Sequence, residues 1–232
     1  MEEELLLVDG ADRVIGSASK KECHLLGERG ELLLHRAFSV FLFDTEGRLL
    51  LQKRADEKIT FPSCWTNTVR ARAMAPPLTF ERANTPLIGQ CCSHPLGVAH
   101  EAETAGHTGV KRAAVRKLEH ELGIEPAQVP LDSFSFVTRV RYESRSCEVW
   151  GESEIDHILV VRPPALTLRP CANEVSDLRW VTQAELATMV RQAAAGQLHF
   201  SPWFALIHRE GLLERWWNTH GQLQPDDSIL QL

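Results

Sequence analysis

The chain has 232 residues, 44% of them hydrophobic and 24% charged, which is enough apolar material for a core and unlike a disordered chain. A formal charge of −6 without any basic block argues against a nucleic-acid partner. No apolar run approaches the roughly 18 residues of a membrane helix, so no membrane insertion is expected. The Met-Glu-Glu-Glu start is acidic where targeting segments are basic. These features predict a cytoplasmic protein, monomeric or weakly homo-oligomeric, with an organellar form trimmed at its N-terminus left open. Six cysteines without a CxxC pair predict reduced thiols.

In chain order, residues 5–15 read as a short strand, a turn at Asp9-Gly10 and a second short strand. Strands over 35–43 and 48–54 flank Asp44-Thr45-Glu46-Gly47, the pattern of a β-hairpin. Residues 109–123 carry the clearest helix, with Thr108 as cap, a stripe of Val110, Ala114, Leu118 and Leu122, and Gly123 as stop. Strands are predicted over 133–142, 155–162 and 178–181. Thr182 and Glu185 form a capping box for a helix to about Ala195. Ser201-Pro202 opens a last, aromatic-rich helix through Trp217, in which Trp216 and Trp217 are expected to pack in the core. The order predicts an α+β domain around a mixed sheet, a single unit over residues 1–232. Residues 69–90, with three arginines and three prolines, show no clean period and interrupt this rhythm.

Common cofactor signatures are missing: there is no GxGxxG, no GxxxxGK[ST] and no HExxH. His24, His35, His94, Glu152 and Glu154 form a dispersed set of nitrogen and oxygen ligand types. Glu152 and Glu154, spaced i, i+2, share one face of an extended chain, where a cation or a proton between them would relieve their repulsion. Such a set suits a divalent ion of octahedral preference. By spacing alone, surface histidines and a solvated acidic turn remain the alternative.

The motifs CHLL…LLHRAFSVFLF, ITFP-x-CWTNT, CCSHPL, GVKRAAVRKLEHELGI, WGESEID and SPWF occur in an order similar to that of the type 1 isopentenyl-diphosphate isomerases. The resemblance spans nearly the whole chain. It implies a Nudix-like fold, a mixed β-sheet sandwiched between helices, and interconversion of isopentenyl and dimethylallyl diphosphate in isoprenoid biosynthesis. It also implies a thiol and a carboxyl, Cys92 and Glu154, on opposite faces of the substrate, with Tyr142 positioning the proton of Glu154. Trp203 would offer its ring to a carbocation, and Trp65 would line the same cavity. Lys20, Arg54 and Lys58 would grip the diphosphate, together with a Mg²⁺ held by Glu121. A second divalent metal, Mg²⁺, Mn²⁺ or Zn²⁺, would sit among His24, His35, His94, Glu152 and Glu154.

The segment 116–124 resembles a degenerate Nudix box, in which Lys117 and His120 replace glutamates of the REUxEExGU pattern and Glu121 remains. That loss disfavours a nucleotide-diphosphate hydrolase, which uses several such carboxylates to gather metal. For Glu121 a plain surface pair with Lys117 is the alternative. The 22 residues 69–90 depart from the family, whose TNT motif runs almost directly into the Cys and His-Pro. They read either as a lineage-specific loop or as an untranslated stretch carried in frame. An inactive variant broken by this insert is therefore a rival to the isomerase.

Overall fold

The computed structural model describes residues 3–72, 105–219 and 223–232. Strand β1 (Glu4–Val8) pairs antiparallel with β2 (Val14–Ser19). The Asp9 carboxylate closes the turn between them by accepting the backbone N–H groups of Ala11 and Arg13. Ser19 then starts a five-residue helix, α1 (Lys20–His24), through a reciprocal capping box with Glu22. The sequence reading did not foresee this helix. It buries Cys23 and His24.

Strand β3 (His35–Leu42) is buried along its whole length, and β4 (Leu49–Arg54) nearly so. The expected turn is present, with Gly47 at φ +77° donating to the Asp44 carbonyl. The hairpin is not: the two strands meet only at the Phe43–Leu49 bridge and then enter different sheets. Both strands are buried on both faces, polar residues included, which is the burial of strands covered on two sides.

Two short strands follow, β5 (Trp65–Thr66) and β6 (Val69–Arg72). The irregular segment thus begins as ordered sheet, for Val69–Arg72 pairs antiparallel with β3. Helix α2 (Thr108–Leu122) buries the expected Val110, Ala114, Leu118 and Leu122. Thr108 is its first residue, not its cap; that position belongs to His107, which takes a left-handed φ of 57° and makes no side-chain cap bond. Gly123, at φ +62°, ends the helix as expected by returning its N–H to the Glu119 carbonyl.

Strands β7 (Phe134–Arg145) and β8 (Gly151–Val161) are longer than predicted, and β8 takes in Glu152 and Glu154. Next come β9 (Val175–Val181) and α3 (Gln183–Ala194), whose Thr182–Glu185 capping box is formed. The predicted last helix is two, α4 (Pro202–Arg209) and α5 (Leu212–Asn218), parted where Gly211 adopts φ +67°. A final unpredicted strand, β10 (Ile229–Gln231), pairs parallel with β7.

Among the described residues the larger sheet runs β10-β7-β8-β3-β1-β2, with β6 also on β3, and the smaller runs β5-β4-β9. The β3–β8 and β10–β7 pairs are parallel and the other pairs in the two sheets antiparallel, so the sheet is mixed as predicted. Alternation along β3 sends Phe38, Val40 and Leu42 into a core under α2, and Phe41 into a second core with Trp203, Trp216 and Trp217. No helix of the described residues is long and apolar enough to cross a membrane.

A buried polar network on the α2 side ties the N-terminal turn to the sheet. Asp12 accepts from Arg36 Nε at 2.8 Å and faces His157 Nε2 at 2.7 Å and Arg139 Nη1 at 3.2 Å. Burial alone would raise the Asp12 pKa, yet the His157 and Arg36 contacts outweigh it and hold the pKa at about 2. A carboxylate depressed in the folded state contributes stability above its unfolded pKa and loses it as pH falls through the folded value. The Asp12→Asn variant is therefore expected to be less stable at neutral pH and to lose part of the stability decrease between about pH 4 and 2, measured by urea unfolding against pH.

Candidate active site

Because β8 is extended, Glu152, Glu154 and Asp156 project from one face, and all three are fully buried. The parallel register places Glu154 directly beside His35 of β3. His35 Nε2 lies 3.1 Å from Glu154 Oε1, and His24, delivered by α1, lies 4.0 Å from Glu152 Oε1. Each imidazole is fixed by its other nitrogen: His35 Nδ1 lies 2.8 Å from the Leu33 carbonyl and His24 Nδ1 lies 2.6 Å from the Lys20 carbonyl. A carbonyl can only accept, so both Nδ1 atoms carry protons and both Nε2 atoms face the carboxylates. This is how metal-binding histidines are held in one tautomer and orientation. Among the described residues, His24, His35 and Glu154 bring ligand atoms within 4.8 Å of one another, and this group could hold a metal ion. The donor set fits a divalent cation.

Tyr142, on β7 opposite Glu154, donates toward Glu152 Oε2 at 3.0 Å and Glu154 Oε2 at 3.1 Å. Burial pushes its pKa well up, so the phenol stays protonated. Thr60 donates to Glu152 Oε1 at 2.8 Å. Trp203 covers this end of the site, its ring 6.1 Å from that of Tyr142, and its indole N–H donates to Asn67 Oδ1 at 2.9 Å. Asn67 in turn donates to the Val40 and Val69 carbonyls, while Ser201 donates to Thr66. The TNT and SPWF motifs are thus two halves of one clasp. Trp65 is buried in the second core rather than lining the cavity, with Arg179 against its face.

Arg70 of β6 enters the middle of the cluster. Its Nη1 lies 2.8 Å from Glu152, its Nη2 bonds Glu154 and Tyr142, and its Nε is 3.7 Å from Asp156. Its guanidinium carbon sits 3.7 Å from the centroid of Trp203. Burial opposes the charge, but Glu152, Tyr142 and Asp156 overcome it and raise the Arg70 pKa above its ordinary value. Sequence reading passed over Arg70. The signal is the local Val-Arg-Ala-Arg alternation, which the aperiodic stretch 69–90 as a whole dilutes.

Next to the cluster lies a cavity of about 250 Å³, lined by His24 and Arg70 and by the predicted Lys20, Arg54, Lys58 and Glu121. Lys20 pairs with Glu3 at 3.1 Å, and Lys58 pairs with Glu174. Arg54 donates to the carbonyls of Phe61 and Thr60, and burial lowers its pKa. Glu121 and Lys117 are buried at the cavity wall, which overturns the surface-pair alternative; Gln52 reaches Glu121 at 3.4 Å. Cys92 and His94 lie outside the described residues, as do Cys91 and residues 73–90.

Residues 78–204 match the Nudix domain. The isopentenyl-diphosphate Delta-isomerase 1 of Bos taurus is 43% identical over 223 residues, which cover 96% of this chain and 88% of that protein. The isopentenyl-diphosphate delta-isomerase of Phaffia rhodozyma is 46% identical over 222 residues, covering 94% and 77%. The chain belongs to the isopentenyl-diphosphate delta-isomerase family. The crystal structure of DR0079 from Deinococcus radiodurans, at 20% identity, has a TM-score of 0.52 and covers 89% of this chain and 98% of that one, which shows the fold. The expected Nudix-like α+β architecture is therefore present, with Glu154, Tyr142 and Trp203 gathered in one buried cluster.

Trp203 is fully buried and makes the clasp to Asn67. The Trp203→Ala variant is expected to lose about 3–5 kcal/mol of stability, with Trp203→Phe losing less, measured by chemical denaturation.

Proposed function

We propose that the chain interconverts isopentenyl and dimethylallyl diphosphate, adding a proton to one carbon of the double bond and removing one from another, through a tertiary carbocation. The observation that carries this reading is Glu154. It is buried and joined to Tyr142, whose ring lies 6.1 Å from that of Trp203, in a cluster that adjoins through His24 and Arg70 a cavity lined by Lys20, Arg54 and Lys58. A carbocation needs a site that excludes water and offers electron-rich faces, and the Trp203 indole supplies such a face. Glu154 moves the proton at one face, and Tyr142 positions it. Cys92, assigned by the family motif, moves the proton at the other; a cation beside a thiol lowers its pKa and favours the thiolate. Which of the two is acid reverses with direction.

Lys20, Arg54 and Lys58 hold the diphosphate of a small allylic or homoallylic substrate, and the whole chain, residues 1–232, works as one domain. His24, His35, Glu152 and Glu154, with His94, are the residues to hold a divalent ion (Mg²⁺, Mn²⁺ or Zn²⁺), and Glu121 is the one to hold a diphosphate-bound Mg²⁺. When bound, such ions supply positive charge that orients carboxylates and neutralises phosphate. An inactive variant is the second reading, favoured by the presence of Arg70 among the ligand side chains.

Incubation of isopentenyl diphosphate with the protein in deuterated water is expected to place label in both C5 diphosphates. Cys92→Ala and Glu154→Gln should lower uptake by about a hundredfold or more, while Cys91→Ala leaves it unchanged. Absence of uptake with the intact chain would favour the inactive reading. Removing residues 69–90 takes away β6 and joins Thr68 directly to Cys91, the order of the family motif; uptake is expected to be preserved or raised, and a large loss would show that the segment contributes to catalysis.

A further inference from the structure

Arg70 is a feature of the described site that the family resemblance does not account for. Strand β6 pairs Val69 with Val40, Arg70 with Ser39 and Ala71 with Phe38. Alternation sends Val69 and Ala71 into the core under α2 and turns Arg70 to the opposite face, toward Glu152, Glu154 and Asp156. A guanidinium there does two things at once. It neutralises carboxylates that also face the His24 and His35 Nε2 atoms, and it stands over Trp203 at the distance of a cation–π contact. Its fork geometry bridges Glu152 and Glu154 in a way one point charge would not.

We propose that Arg70 is an internal competitor cation, which holds the carboxylates of the His24, His35 and Glu154 cluster against a divalent ion and covers the face of Trp203 against a cationic substrate. Metal occupancy then requires the guanidinium to leave, and the adjoining cavity, which Arg70 also lines, is the space into which it can swing. The second half of the proposal rests on the isomerase reading. The first half does not, because metal binding is measured without turnover.

The test is a Mn²⁺ titration, without substrate, of the unaltered chain, Arg70→Met, Arg70→Lys and the double variant Arg70→Met, His35→Ala. Bound metal is counted after equilibrium dialysis, and thermal midpoints are recorded with and without the ion. Arg70→Met is expected to bind Mn²⁺ at least about tenfold more tightly than the unaltered chain and to gain a midpoint rise on metal addition, since a ligand specific to the folded state stabilises it. Arg70→Lys should fall between the two, and His35→Ala should erase the gain. Equal affinity in the unaltered chain and Arg70→Met, or a gain that survives His35→Ala, would overturn the proposal. Should Arg70→Met fail to fold, Arg70→Lys decides: tighter binding than the unaltered chain supports competition, and unchanged binding refutes it. Tight Mn²⁺ binding by Arg70→Met with no label uptake would sink the isomerase reading and leave Arg70 as competitor. A metal-loaded, active unaltered chain would do the reverse.

Discussion

Three carboxylates buried on one face of a single strand set the terms for this molecule. Glu152, Glu154 and Asp156 are fully inside, where an ionised group left without a partner is costly and removing one partner of a buried pair costs on the order of 3–5 kcal/mol. Everything around β8 answers that constraint. Arg70 spans the row, Tyr142 donates toward Glu152 and Glu154, Thr60 donates to Glu152, Ser39 donates to Asp156 at 2.7 Å, and two histidines turn their Nε2 atoms toward it. Such a row is expensive scaffolding for a structural protein. It is useful where positive charge must be gathered and held.

The sheet separates this chemistry from the forces that keep the fold in place. On one face, α2 covers an aliphatic layer, and the Asp12–Arg36–His157 network fastens the first turn there. On the other, the carboxylates, Tyr142 and Trp203 lie at the edge of the aromatic core built with α4 and α5. The clasp from Asn67 and Thr66 to Trp203 and Ser201 joins two motifs 136 residues apart. It orients an indole face, whose position matters more to carbocation chemistry than its buried area. That clasp immediately precedes the segment that departs from the family, so the Trp203 side of the site stays formed up to Thr68.

The main lines of the fold were legible because periodicity and caps are local signals. The Val110–Leu122 stripe, the Gly123 stop, the Thr182–Glu185 box and the pairing of β1 with β2 all stand as read. The misreadings have separate causes. Strands β3 and β4 resembled a hairpin because a turn joins them, yet their pairing is decided by distant strands, β8 and β9. The last helix breaks at Gly211, where one left-handed residue redirects the chain. Helix α1 was overlooked because five residues form too short a window for a period, although its capping box was in plain sight.

The sequence by itself determined the family, the mixed α+β architecture, and the residue types available for chemistry: His24, His35, Glu152, Glu154, Tyr142 and Trp203 stand in motifs whose order is informative without coordinates. Only the tertiary structure decided that these six converge, that Glu121 and Lys117 face a cavity rather than water, and that Arg70 stands among the ligands. The reason is physical. Motif and period are properties of neighbours along the chain, whereas the charge balance of a buried site is a sum over residues as distant as His35 and Glu154, 119 positions apart, and strand register fixes which side chains enter that sum.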